Sequence, residues 1–383
     1  MKAAVLHGFG DLRVEEVPDP RPGPDDVVIE VVCVQPSVTE CMLIAGDDIA
    51  MHAALVRRLE RGPTQFGGHE FAGVVRSVGS AVTRLRTGDA VTAVETLTCG
   101  QCAACRRGRP DACVGPEFIG FTRPGAFAER LLVPQRCVVK VPAGVSAAAA
   151  AAIQPLAGAV HGHALAEVRP GESVLIIGAG VMGLLGLQVA RRGSAGLVAV
   201  SGRSPAKLAL AAGFGADLVL GAGDDVEQAI RAATDGVGAD VVIETAGGSP
   251  DVGLAGTETL DLAARCVRRG GRIVMVSVLA NQAPAPLGLL RERGVSLLHP
   301  RSGAGGYSPT SDVFEYCLSL VARGDIDVES LITHRLAGIG EVPKAVEITR
   351  DKGAHGAINP AQVCPRPTRT CRDPSRRRPS FAG

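Results

Sequence analysis

The sequence predicts an α/β protein of two domains, a small twisted barrel-like β domain and a doubly wound parallel sheet. Three observations carry this. Strand-like runs punctuated by Gly and Pro fill the chain to about residue 150, and six short apolar runs with helix-sized spacers follow from Ser173. A glycine-patterned turn sits directly after the first of those six runs. At 383 residues and 46% hydrophobic content, the chain can give each domain its own core.

In order, the early strands are A-A-V-L near the start, Asp26 to Val32, Phe71 to Val78 and Ala90 to Val94. Ser146 to Ala152 is alanine-rich without a breaker and predicts a helix. The six later runs are V-L-I-I, L-V-A-V, D-L-V-L, D-V-V-I-E-T, R-I-V-M-V-S-V and S-L-L-H. Beyond Pro300 a helix is expected at Ser311 to Ala322 and a strand near Ile332 to Leu336, in a segment that rejoins the first domain. The expected division is therefore 1–152 with 300–362, then 153–299, and a disordered tail over 363–383, where Pro365, Pro367, Pro374 and Pro379 interrupt a basic stretch. No internal repeat is visible.

A formal charge of +1 excludes a strong global attraction to nucleic acid or anionic membrane. The basic tail, Arg366 to Arg378, reads as solvated, the lesser alternative being a weak anion-binding arm. The opening M-K-A-A-V-L-H-G-F-G has no apolar core of signal-peptide length, and later apolar runs are broken by Gly or charge, so a cytoplasmic protein is expected. Eleven cysteines in a reducing compartment do not form a disulfide framework; clustered ones read as metal ligands.

Gly178, Gly180 and Gly183, with Val181 and Met182 between them, form G-x-G-x-x-G after a strand and before a helix. The first glycine permits the tight turn, the second lets backbone approach a pyrophosphate and the third packs helix on sheet. The next strand ends in Ser201, Gly202 and Arg203, where an NAD site usually places an acid for the ribose 2′-hydroxyl. A guanidinium there suits a 2′-phosphate and favours NADP(H) over NAD(H). The other reading has Arg203 facing solvent and NAD(H) bound without its usual acid.

Cys99, Cys102, Cys105 and Cys113, within a lobe at 95–114, have the spacing to close a tetrahedral thiolate shell around a structural zinc. An iron–sulfur cluster is the lesser metal reading. Arg106, Arg107 and Arg109 raise a nucleic-acid ribbon as an alternative, which 3% aromatic content and the missing basic stripe disfavour.

Together with Gly68-His69-Glu70, Gly88-Asp89, G-A-F-A-E at Gly125 to Glu129, V-P-A-G-V-S at Val141 to Ser146 and Q-P-L-A-G-A-V-H at Gln154 to His161, these motifs resemble the zinc-containing alcohol dehydrogenase family of medium-chain dehydrogenases and reductases. The resemblance extends to about Pro360. It implies a β-rich GroES-like catalytic domain, a Rossmann dinucleotide-binding domain, a small-molecule substrate and a homo-oligomer, dimer or tetramer. By the same resemblance Ser37 takes the place of the zinc-ligand cysteine, Thr39 keeps the proton-relay hydroxyl, Glu40 replaces an aspartate and Met42 a relay histidine. His69 keeps a ligand position with Glu70 as its acidic neighbour, and Gln154 replaces a glutamate at or beside the metal.

Neither Ser37 nor Gln154 brings charge to a zinc at neutral pH, so the catalytic metal site is altered. His69 and Glu70 are the retained candidate ligands, and Cys41, four residues beyond Ser37, is a candidate substitute thiolate, the blander reading being a buried structural cysteine. The resemblance implies hydride exchange between NADP(H) and an alcohol or carbonyl, with Ser37, Thr39, His69 and Glu70 as the catalytic candidates. A metal-free NADPH-dependent reductase of a conjugated C=C or carbonyl is the second reading, and a catalytically inactive nucleotide-binding protein the third. Ser37 as a covalent nucleophile is disfavoured because no histidine lies near it in sequence. I-A-M-H-A-A-L-V-R-R-L-E reads as an amphipathic lid helix, with Arg57, Arg58 and Arg61 on a solvated face or meeting an anionic substrate. His52, His161 and His163 receive no assignment.

Overall fold

The computed structural model describes residues 1–246, 257–300 and 313–366. It divides into two compact units, Met1–Gln154 with Gly303–Gly383, and Pro155–Ser302.

The first unit opens with β1 (Lys2–Gly8) and β2 (Asp11–Glu16), an antiparallel hairpin, then β3 (Asp26–Gln35), α1 (Val38–Ala45), α2 (His52–Leu59), β4 (Thr64–Gln65), β5 (Glu70–Val78) and β6 (Ala90–Ala93). A lobe follows with β7 (Thr96–Leu97), α3 (Ala103–Arg106) and β8 (Glu117–Phe118), then β9 (Arg130–Pro134), β10 (Val138–Lys140) and α4 (Ala147–Ala151). Ser146 caps α4, its hydroxyl accepting from the Ala149 N–H, which explains why the alanine run starts there. The helix α5 (Ile153–Leu165) begins at the boundary between the units.

In the second unit, β11 (Ser173–Ile177), α6 (Val181–Arg192), β12 (Leu197–Ser201), α7 (Pro205–Gly213), β13 (Leu218–Leu220), α8 (Val226–Ala233), β14 (Ala239–Glu244), α9 (Glu258–Cys266), β15 (Val267–Met275), α10 (Leu287–Arg293) and β16 (Ser296–Leu298) alternate strand and helix. The six strands are parallel in the order β13-β12-β11-β14-β15-β16. Strand order reverses beside β11, and the crevice outside the carboxyl ends of strands at such a point is where open α/β sheets bind ligands. The apolar runs read as strands are the sheet's buried middle: Leu175, Ile177, Ala199, Val242 and Ile273 all pack in one core.

The chain then returns to the first unit as α11 (Val313–Ala322), β17 (Arg335–Ala337), α12 (Val342–Arg350) and β18 (Gln362–Cys364). The large sheet there runs β10-β6-β5-β3-β18-β17, with β9 also paired to β3. The fold class is the expected one. Two boundaries differ from sequence expectation. The strand expected near Ile332 to Leu336 forms later, because Glu329–Leu331 close a short helical turn and only Arg335–Ala337 finds a partner in β18. The stretch read as tail from 363 is strand at its start: Val363 pairs with Val34 of β3, and Arg366 reaches Glu30 at 2.9 Å. The rest of that tail, 367–383, lies outside the described residues, as do 301–312, including the start expected for the return helix.

Candidate active site, thiol lobe and dinucleotide turn

β3 ends at Gln35, and Pro36 and Ser37 lead into α1. Ser37 is the N-cap of that helix: its hydroxyl accepts from the Glu40 N–H at 3.0 Å, while Glu40 Oε2 accepts from the Ser37 N–H at 2.9 Å. This reciprocal box explains why S-V-T-E starts a helix. Ser37, expected as a catalytic candidate, thus has a structural role at the helix end. Glu40 is fully buried, and its other oxygen, Oε1, accepts from Gly68 N at 2.7 Å, His69 N at 3.1 Å and His69 Nδ1 at 2.7 Å. One carboxylate therefore ties α1 to the G-G-H-E turn. Gly68 permits the turn with a φ of +86°, and a side chain there would meet the Phe127 backbone nitrogen at 2.3 Å.

A carboxylate only accepts, so Nδ1 carries a proton, and Nε2, the other edge of the His69 ring, lies 3.7 Å from Glu70 Oε1. Phe121 covers one face at a centroid distance of 4.8 Å. Burial alone would lower the His69 pKa, but the charge and hydrogen bond of Glu40, then the charges of Glu70 and Glu95, raise it to about 9. Glu70 moves the other way from an ordinary carboxylate: burial raises it to about 7 against the opposing pull of His69 and Gln35. The β3–β5 register sets Gln35 opposite Glu70, and Gln35 Nε2 donates to Glu70 Oε2 at 2.5 Å. Gln35 Oε1 in turn accepts from Asn359 Nδ2 at 2.7 Å and Gln362 Nε2 at 2.9 Å. Thr39 is half-buried on the first turn of α1.

A catalytic zinc takes three protein ligands and keeps one position open. His69 Nε2 and a Glu70 oxygen supply two. Ser37 is neutral and engaged as a cap, and Cys41 is turned away, its thiol donating to Val346 O at 3.5 Å with its pKa pushed up by burial. Among the described residues, the thiol lobe is the one place where three or more His, Cys, Asp or Glu ligand atoms converge. The donor set beside Ser37 thus does not fit a catalytic zinc, and of the two readings of Cys41 its burial and its contact with Val346 favour the structural one.

The helix expected between Gly46 and Gly67 is present as α2, but Arg58 is half-buried rather than solvated. Its guanidinium donates to the Phe121 carbonyl, to Thr64 Oγ1 at 2.6 Å and to Gln65 O at 2.7 Å, fixing the turn that carries Phe121. His52 stacks on Phe9 at 5.2 Å.

In the lobe, the sulfurs of Cys99, Cys102, Cys105 and Cys113 lie within 4.8 Å of one another. Backbone N–H groups converge on them: Cys102 N on Cys99 Sγ at 3.3 Å, Cys105 N on Cys102 Sγ at 3.5 Å and Cys99 N on Cys113 Sγ at 3.4 Å. The N–H groups of Cys105 and Val114 hold the Cys102 thiol down to about 6, whereas desolvation and the neighbouring thiols push Cys105 up to about 12. This is a nest that suits thiolates.

At the glycine turn, Gly178 has φ +108° and Gly180 is the N-cap of α6 with open space where a side chain would stand. A Cβ on Gly183 would meet Gly178 O at 1.8 Å, so only glycine lets α6 start this close to β11. Val181 is buried and Met182 half-buried behind the turn. Ser201 is buried at the end of β12, and a Cβ on Gly202 would meet the Ala179 Cβ at 2.9 Å. An acid at 202 would therefore displace the turn, and the exposed Arg203 is the charged group at that strand end. Lys207, one turn into α7, feels its charge: burial lowers the lysine pKa and Arg203 lowers it further.

Sequence reasoning brought Ser37, Thr39, His69 and Glu70 to one region but missed Gln35, Phe121 and the central role of Glu40. Glu40 had a local signal, the S-x-x-E capping pattern; Gln35 and Phe121 had none, since their partners are distant in sequence.

A model of the alcohol dehydrogenase GroES-like domain matches residues 23–143, and one of the zinc-binding dehydrogenase domain matches 181–323. The chain is 31% identical over 328 residues to an L-threonine 3-dehydrogenase of Rhizobium etli (strain CIAT 652), covering 85% of this chain and 88% of that one. It is 29% identical over 339 residues to a sorbitol dehydrogenase of Bacillus subtilis (strain 168), covering 87% and 89%. Among solved structures, a zinc-binding dehydrogenase from Sinorhizobium meliloti 1021 bound to NADP superposes with a TM-score of 0.80 at 30% identity, covering 95% of this chain and 99% of that one.

Proposed function

This chain belongs to the zinc-containing alcohol dehydrogenase family, and on that premise we propose that it interconverts an alcohol and a carbonyl compound with NADP(H), using one structural zinc and no zinc at the reacting oxygen. The oxidoreductase class follows from the family. The dinucleotide turn supports the cofactor choice: Gly202 leaves no room for the acid that would repel a 2′-phosphate, and Arg203 stands beside it. The Sinorhizobium meliloti relative binds NADP. NADP(H), when bound, exchanges a hydride with the substrate carbon. The chain's part is to seat its pyrophosphate on the N-terminus of α6 at Gly180, where backbone N–H groups are uncapped by any side chain. Cys99, Cys102, Cys105 and Cys113 hold the structural zinc, whose four thiolates leave no position for substrate.

The altered pocket at Ser37 carries the second part. With two donors instead of three, His69 and Glu70 act as proton-handling groups rather than ligands, and Thr39, on the first turn of α1, is the candidate relay hydroxyl. The same observation favours, as a second reading, a conjugated C=C acceptor, which needs less polarisation than a plain ketone. The substrate is a small molecule, and the family resemblance points to a cytoplasmic dimer or tetramer, which light scattering would resolve. No helix among the described residues is long and apolar enough to cross a membrane.

The experiment is consumption of NADPH and of NADH with hydroxyacetone, fructose and 2-cyclohexenone. NADPH oxidation with the hydroxyketones is expected. Turnover of the enone alone would establish the second reading, NADH preference would reject the cofactor choice, and no turnover at all would leave a nucleotide-binding protein without catalysis.

A further inference from the structure

We propose that a cleft in the first unit, between the turn that precedes β6, strand β10 and the return helix α11, binds a small zwitterion with an apolar side chain, a ligand of the α-amino-acid class. Its lining lies within that one unit and shares no residue with the His69 pocket or the thiol lobe. The inference therefore stands apart from the oxidoreductase reading.

The floor of the cleft follows from strand and helix periodicity. Val138 and Lys140 are two residues apart on β10 and face the same side, while Glu315 and Leu318, three apart on α11, share a helix face. Val138 and Leu318 are buried, as is Leu85 from the turn, and with the half-buried Pro142 they make an apolar surface. The cleft holds about 320 Å³. That is the small end of the roughly 300–1,000 Å³ usual for small-molecule sites, which suits an amino acid and excludes a dinucleotide.

Three charged groups stand around this floor. Lys140 is already neutralised, its Nζ lying 2.8 Å from a carboxylate oxygen of Asp89, and that same oxygen accepts from the Arg86 N–H at 3.0 Å. Arg84 and Glu315 are both exposed, and among the described residues neither makes a hydrogen bond or an ion pair, with the other or with any third group.

A single exposed charge is ordinarily solvated and calls for no ligand. Two unpaired charges of opposite sign beside one apolar cleft select more narrowly. A simple carboxylate would meet Arg84 but be repelled by Glu315, and a simple amine would meet the reverse. An uncharged apolar molecule would cover the floor while stripping water from both charges without replacing it. A zwitterion satisfies both: the Arg84 fork donates to its carboxylate, Glu315 accepts from its ammonium, and its side chain displaces water from Leu85, Val138 and Leu318.

The test is isothermal titration of the full-length protein with L-leucine and three analogues: isocaproate without the ammonium, isoamylamine without the carboxylate, and glycine without the apolar body. Wild type is compared with Arg84→Gln and Glu315→Gln, two exposed side chains without protein partners whose loss leaves the core untouched. Saturable millimolar binding of L-leucine is expected, about tenfold tighter than that of any analogue, as the loss of one charge-assisted contact or of the apolar body predicts. Arg84→Gln should weaken L-leucine about tenfold and leave isoamylamine unchanged; Glu315→Gln should weaken L-leucine by a similar factor and leave isocaproate no weaker. L-Leucine should also raise the thermal unfolding temperature of wild type and do so less in either variant. Absence of saturable L-leucine binding to wild type would overturn the proposal. Affinity unchanged in either variant would overturn it too, by placing the ligand elsewhere on the chain, as would an analogue that binds as tightly as L-leucine.

Discussion

The thiol lobe and the His69 pocket both lie in the first unit, and both occupy positions where the family resemblance implies zinc, yet they are built in opposite ways. In the lobe four sulfurs face one another with backbone N–H groups as their main company. In the pocket each donor already has a protein partner: Ser37 caps α1, Glu40 accepts four N–H groups, and Glu70 is held by Gln35. Converged thiolates repel one another and need a cation to stabilise them, whereas a set whose members satisfy one another folds without one.

The strongest way to break this contrast is to remove a lobe ligand. Cys105→Ser is expected to bring zinc from one per subunit to none and to open Arg106, Arg107 and Arg109 to trypsin, because metal binding and local folding are one equilibrium there. Structural zinc sites in small peptides bind with about 10–16 kcal/mol, which sets this as the largest effect. Elemental mass spectrometry with limited proteolysis reads it; retained zinc would mean the four sulfurs are not the ligand set.

Next is Glu40→Ala, which strands the buried N–H groups of Gly68 and His69 and the His69 ring. The expected loss is about 3–5 kcal/mol in urea unfolding. A loss under about 1 kcal/mol would show that the pocket is not self-satisfied.

A third contrast lies in pH. His163, in the second unit, is as buried as His69, but its Nδ1 meets an uncharged partner, the Ala159 carbonyl at 2.8 Å, and burial lowers its pKa to about 4 from 6.5. A depressed histidine gives stability that is present above pH 6.5 and lost as pH falls towards 4, by roughly 3 kcal/mol in all. His69 and Glu70 are raised, to about 9 and about 7, so their contributions are present at lower pH and lost as pH rises through those values. Over the acid range Glu70 and His163 act in opposite directions and largely offset each other, so stability should change little below about pH 6.5 and fall as pH rises towards 9. Denaturant titrations from pH 4 to 10 should show the alkaline fall, and His163→Leu should leave a stability that rises towards acid.

The smallest change is Ser37→Ala, expected to cost about 1 kcal/mol as a lost N-cap while zinc content stays constant. A fall in zinc would make Ser37 a ligand after all.

The differing legibility of the two sites follows from the same contrast. The lobe is written in short spacings, Cys99 to Cys113, and the dinucleotide turn in six residues from Gly178 to Gly183. The six parallel strands were visible because a strand buried on both faces reads as an unbroken apolar run. The pocket was legible only in part: Ser37, His69 and Glu70 could be placed by resemblance, but the partners that settle their roles could not. Arg58 looked like one more cation on a solvated helix face until Phe121 and Gln65 were brought beside it.

By itself, then, the sequence determined the α/β class, the parallel sheet, the glycine turn and the thiol cluster, because each depends on periodicity or on residues a few positions apart. The tertiary structure alone decided that Glu40 holds His69 from 29 residues away and that Gln35 joins Glu70 to Gln362 across 327. Those hydrogen bonds exist only once β3, β5 and the returning β18 lie side by side, and no local pattern encodes the register that aligns them.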